Sequence, residues 1–114
     1  AEPEEPVKGP AQYYKLRQPL VVTFNVKNKQ RFLQAHITLL TRQAGVYDGL
    51  ELHLPVIQNR LLNVFGTQDF MVIQTSEGRL ALQEKAKEAV NLVLSEQKVD
   101  GEIEKVLFTN LVMQ

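Results

Sequence analysis

The chain has 114 residues, 44% of them hydrophobic, no cysteine, and thirteen basic residues balanced by thirteen acidic ones. That length suits one domain with a core of its own, and the lack of thiols excludes disulfides and thiolate chemistry. Zero net charge leaves no long-range field to draw in nucleic acid or anionic lipid, and no stretch approaches the roughly 20 apolar residues that span a bilayer.

The first ten residues hold Pro3, Pro6, Pro10, Gly9 and the glutamates Glu2, Glu4 and Glu5, with almost nothing apolar. Such a segment is semi-extended and brings nothing to a core. Residues 1–12 therefore read either as a disordered terminus or, as the prolines favour, as a spacer joined to something upstream. Order is expected from Tyr13 or Tyr14 onward, with both tyrosines and Phe24 in or near the core.

After Pro19 the residues alternate. Leu20, Val22, Phe24 and Val26 face one way, Val21, Thr23 and Asn25 the other, the period of a half-buried strand. Residues 27–30 are polar and turn-like. The next run sends Leu33, Ala35, Ile37 and Leu39 to one face and Phe32, Gln34, His36, Thr38 and Leu40 to the other, so a hairpin is predicted. The second strand outlasts the first, and its far end must pair elsewhere.

Beyond Gly45 the period changes. Leu50, Leu54, Ile57, Leu61, Val64 and Phe65 recur at three and four, a helical stripe interrupted by Pro55. Proline costs little at the first helical position, so a short helical piece before His53 and a main helix from about Pro55 to Phe65 are predicted. Residues 70–73 read as a helical turn capped by Thr67 or Asp69, with a short strand as the competing reading. Thr75 caps the next helix, with Glu77 at the positive end of its dipole. Gly78 marks a place where a neighbouring backbone comes too close for a Cβ. Leu82, Ala86, Ala89, Val90 and Val93 form that helix's buried stripe; Glu84, Lys87 and Glu88 form its charged face. A break at residues 99–102 leads to a last strand over residues 106–114. The fold class is thus α+β, a three-stranded, largely antiparallel sheet packed by two main helices, in a globular domain spanning residues 13–114.

No catalytic constellation emerges. Ser76 and Ser95 lack a glycine elbow and a base, and His36 and His53 cannot make a metal site alone. Asp48 with Glu51, and Glu102 with Glu104, are neighbours along one element, not an opposed pair across a cleft, and read as solvated. The glycines are scattered, with no phosphate-binding loop. Lys15, Arg17, Lys27, Lys29 and Arg31 gather near the hairpin beside Phe32; lysines there read as protection of a strand edge rather than as a nucleic-acid site. No catalytic, cofactor or metal residues are assigned, and no enzymatic activity is expected. The main helix, by contrast, is apolar over more than one face. Val56 and Leu62 lie off its stripe, beside the amides Gln58, Asn59 and Asn63, so Val56, Asn59, Leu62 and Asn63 are the candidate protein interface.

Several marks recur in an order resembling the FliL family of flagellar basal-body-associated proteins. They are Tyr14, Pro19 and Asn25; Arg31, Phe32 and Leu33; Pro55, Ile57, Asn59 and Leu62; then Thr75, Glu77, Gly78, Leu82, Asn91, Phe108, Thr109 and Gln114. Two departures are the order Gln58-Asn59-Arg60 and the non-aromatic Leu107. The resemblance implies a non-enzymatic part of the flagellar basal body that associates with the stator proteins and forms a ring supporting motor torque. It implies a domain in the periplasm, reached from the inner membrane by a missing N-terminal helix with residues 1–12 as the spacer. It also implies a fold like the stomatin/prohibitin (SPFH) domain. A general periplasmic peptide- or protein-binding module using an exposed sheet edge is the alternative, and a small enzyme is the third.

Overall fold

In the computed structural model, which describes residues 9–114, the hairpin joins β2 (Leu20–Val26) to β3 (Lys29–Thr41) with Val26 opposite Lys29. Its two turn residues, Lys27 and Asn28, have φ of 50° and 66°. Positive φ at both positions is what a two-residue turn matching the strands' right-handed twist requires. Leu20, Val22 and Phe24 are buried and Val21, Thr23 and Asn25 exposed, as their alternation predicts.

β3 is the spine of the sheet. Its residues 33–40 pair with β4 (Lys105–Met113) on one edge; on the other edge residues 29–35 pair with β2 and 38–41 with β1 (Gln12–Lys15), all antiparallel. The sheet therefore has four strands, not the three predicted, but is only three columns wide, because β1 and β2 lie end to end. Leu16 continues the ladder with an N–H bond to the Ile37 carbonyl (3.0 Å). The edge then breaks before Pro19, which has no N–H to offer. The unassigned far end of the predicted second strand finds its partner here.

Order also starts earlier than expected. Gly9 donates its N–H to the Arg42 carbonyl (3.0 Å) and Gln12 opposes Thr41, so residues 9–12 lie along the fold. Residues 1–8 of the expected spacer lie outside the described residues. Tyr14 is buried, edge-on to Tyr47 with ring centroids 5.2 Å apart, whereas Tyr13 is 55% exposed on the opposite face and not in the core. Strand alternation forces neighbouring tyrosines to opposite sides.

β4 contains a bulge. His36 faces Asn110 and Ile37 faces Phe108, leaving Thr109 unpaired; its hydroxyl donates to the His36 carbonyl (3.2 Å). The extra residue shifts parity, so Val106 and Phe108 before it and Leu111 and Met113 after it all oppose inward residues of β3. The strand closes with reciprocal bonds between Phe32 and Gln114 (2.8 Å each).

The helices cover one face of this sheet. α1 (Ala44–Leu52) and α2 (Leu54–Gly66) divide at His53, with Pro55 in the first turn of α2, as predicted. α2 packs over β2 and against α4 (Ser76–Glu96), which lies over β4. Ile57, Leu61 and Phe65 of α2 are fully buried, worth roughly 1.5–3 kcal/mol each. α3 (Phe70–Ile73) is one turn, capped by Asp69 Oδ1 accepting from the Met71 N–H (2.9 Å). Thr75 Oγ1 caps α4 by accepting from the Gly78 N–H (2.9 Å), and a Cβ on Gly78 would collide with the Val72 carbonyl oxygen. On α4, Leu82, Ala86, Val90 and Val93 are buried, but Ala89 and Lys87 are only half-buried, at the margins of the stripe and of the charged face. None of the helices described is long and apolar enough to cross a membrane.

Candidate functional site

α2 offers the best-defined exposed face. At 100° per residue, Leu62, Asn59, Asn63 and Val56 fall within an arc of about 120° opposite the buried Ile57-Leu61-Phe65 stripe. Asn59 and Asn63 are exposed and Val56 and Leu62 are each 39% exposed, so the four residues singled out from the sequence share one solvent-facing surface. Two branched apolar side chains beside two amides give this face both apolar area that a contact could remove from water and groups that could hydrogen-bond across it. Arg60 turns away from this face to bind Glu96 of α4 (2.9 Å).

Other exposed apolar residues escaped prediction from the sequence. Met71 and Val72 on α3, Leu80 and Leu92 on α4, and Leu52 are all more than half exposed. Leu80 borders a shallow groove with Arg79, Gln83, Phe108 and Leu111 between α4 and β4. Leu80 and Leu92 lie off the 82-86-90-93 spacing, which was the available signal. On the open face of the sheet, Val21, Phe32 and Val112 are 40–56% exposed.

The acidic pairs read as solvated are only partly so. Glu51 binds Arg17 (2.6 Å), tying α1 to the chain after β1, and Glu104 binds Arg42 (3.2 Å). All three ion pairs among the described residues join different segments. Exposed pairs of this kind contribute about 1 kcal/mol or less each. Burial, reinforced by the Glu51 carboxylate, raises the Tyr14 phenol above its ordinary value of 10.0.

His36 and His53 are half-buried and far apart in the fold, on the sheet and at the α1–α2 junction. No group of three His, Asp or Glu side chains among the described residues could hold a metal ion. The resemblance marks, in contrast, coincide with structural devices. Asn91 on α4 accepts from the Ile103 N–H through Oδ1 (2.8 Å) and donates to the Ile103 carbonyl through Nδ2 (3.4 Å). Gly78 permits the α3–α4 approach, and Thr109 fills the bulge.

Residues 13–114 match the family described as flagellar basal body-associated protein FliL. Among curated relatives, the flagellar protein FliL of Escherichia coli K12 is 28% identical over 92 residues, covering 81% of this chain and 60% of the relative. FliL of Aquifex aeolicus is 28% identical over 101 residues (89% of this chain, 60% of the relative). The flagellar protein LafL of Vibrio parahaemolyticus is 25% identical over 112 residues (97% and 66%). The chain thus spans about 60% of the length of the first two. With a match that reaches every strand and helix among the described residues, the chain belongs to the FliL family of flagellar basal body-associated proteins.

Proposed function

We propose that this domain is a non-enzymatic structural element of the flagellar basal body that associates with the stator units and assembles into a ring supporting motor torque. In this reading the domain lies in the periplasm, held to the inner membrane by an upstream helix, with the residues ahead of Gly9 as the connection. Its α+β layers are an SPFH-like unit. The observation carrying the proposal is the family match over residues 13–114, joined to an exposed, partly apolar α2 face that nothing in the domain covers among the described residues.

Weak contacts suffice for such a ring. A free subunit gives up several kcal/mol of translational and rotational freedom on joining. Tethering to a membrane raises the local concentration and offsets much of that loss. The 114-residue chain should therefore be mostly monomeric in dilute solution and the anchored protein oligomeric.

Val56→Glu and Leu62→Glu test the contact face. Both positions are more than a third exposed, so a folding cost within about 1 kcal/mol is expected. Swimming under load and co-purification with stator proteins should fall while the melting temperature stays nearly unchanged. Unfolding of either variant would make the residue core. Normal swimming and normal co-purification in folded variants would place the contact elsewhere.

A further inference from the structure

The edge of β2 combines two properties seldom found together. The strand, Leu-Val-Val-Thr-Phe-Asn-Val, carries no charge and no proline over seven residues, yet it is an outermost strand. Because Val26 and Lys29 close the turn as a hydrogen-bonded pair, Val22, Phe24 and Leu20 bond inward to β3, and the N–H and C=O groups of Val21, Thr23 and Asn25 point outward. Among the described residues no backbone or side-chain group bonds to them. Natural edges of this kind are usually blunted within the strand itself.

The second property is charge. From residue 13 to residue 47 the chain has six basic residues, Lys15, Arg17, Lys27, Lys29, Arg31 and Arg42, and no acidic one. Four of them flank β2: Lys15 and Arg17 before it, Lys27 and Lys29 after it. Glu51 neutralises Arg17, but no carboxylate pairs with Lys15, Lys27 or Lys29 among the described residues. The neutral total of the chain therefore hides a basic sheet edge.

We infer that the β2 edge receives an extended segment of a partner protein, apolar at alternate positions and acidic at both ends, as an added antiparallel strand. The occupant is not a second copy of β2. Pairing two copies in either direction brings lysines against lysines at the ends, whereas an acidic-ended strand meets opposite charge there. The flanking lysines exclude self-pairing and admit the partner. The outward side chains of the incoming strand would lie beside Val21, 56% exposed; the inward ones would lie beneath the flank of α2 turned away from α4, which carries Leu62. The inference stands apart from the flagellar role proposed above and is tested without cells.

The probe is a synthetic peptide, Asp-Asp-Val-Thr-Val-Thr-Val-Glu-Glu, blocked at both ends, titrated into the 15N-labelled 114-residue chain and followed by amide NMR. Saturable shifts are expected at Val21, Thr23 and Asn25, together with slowed hydrogen exchange of those three amides. A peptide of the same core flanked by lysines should bind at least about tenfold more weakly at low salt. Thr23→Pro removes one outward N–H that serves no bond of the domain, so the fold should survive and peptide affinity should drop about tenfold. Lys27→Glu with Lys29→Glu, far from the core, should abolish the preference for the acidic peptide and serves if the proline variant misfolds. No saturable shift at β2, equal binding of the lysine-flanked peptide, or unaltered preference in the double charge variant would overturn the inference. So would broadening of the β2 amides with rising protein concentration in the absence of peptide, which would mark self-pairing.

Discussion

Lys98 has a φ of 60°, in the left-handed region where a side chain is strained. It follows the last turn of α4, whose end is closed by the Val99 N–H bonding to the Leu94 carbonyl (2.8 Å) and the Lys98 N–H to the Ser95 carbonyl (3.1 Å). That pair of bonds is the helix-ending motif in which glycine normally takes the left-handed position. Lys98 is exposed and makes no ion pair among the described residues, so its side chain offsets none of the strain. Lys98→Gly should stabilise the domain by about 1 kcal/mol, raising the melting temperature by about 4 °C. Calorimetry on the two chains checks it; a lower melting temperature would mean that the lysine contributes something its geometry does not reveal.

Between elements, the decisive contacts are made by backbone meeting small or amide side chains. Asn91 fastens the middle of α4 to Ile103, which is 1% exposed, and so positions the start of β4. Asn91→Ala leaves the Ile103 N–H buried without that acceptor and should cost about 1–3 kcal/mol. Gly78→Ala should cost at least as much, about 2–4 kcal/mol, because its Cβ would meet the Val72 carbonyl, a backbone atom that cannot step aside. Urea unfolding of each variant measures both, and a loss within about 0.5 kcal/mol would show that the neighbouring turn yields. The role of Gly78 was legible in the sequence because glycine is a poor helix former, so its place in a first helical turn points to a close backbone approach. The partner of Asn91 was not, since it depends on a loop twelve residues away. Nor was the Thr109 bulge. Val106, Phe108, Leu111 and Met113 do not alternate, and only the register with β3 reveals that one residue has been set aside. The exposed apolar residues of α2, Val56 and Leu62, were legible as a departure from the helical stripe, whereas the outward-facing groups of β2 depend on which residue of the turn begins the ladder.

At the scale of the whole molecule, the number of strands misled because edge composition does not say whether an edge is continuous. β1 and β2 share one side of β3, and the break between them comes from Pro19 and the two residues before it, Arg17 and Gln18, which the sequence marks only as polar. Fold class and helix order were legible because periods of two and 3.6 are carried by many residues at once.

The same topology determines how the domain bears tension. β1 and β4 run parallel to each other on opposite sides of β3, with Gln12 at one end of the sheet beside Thr41 and Gln114 at the other beside Phe32. A pull applied between residues 12 and 114 acts along both outer ladders, so their bonds are sheared together. A pull between Asn28, at the hairpin tip, and Gln114 acts at one end of the sheet and opens pairs one after another, like a zipper. In single-molecule stretching, attachment at 12 and 114 should therefore give one rupture at a distinctly higher force than attachment at 28 and 114. Equal forces would mean that the helical layer, not the sheet, carries the load. Under load, the domain would be hardest to tear along the line from Gln12 to Gln114.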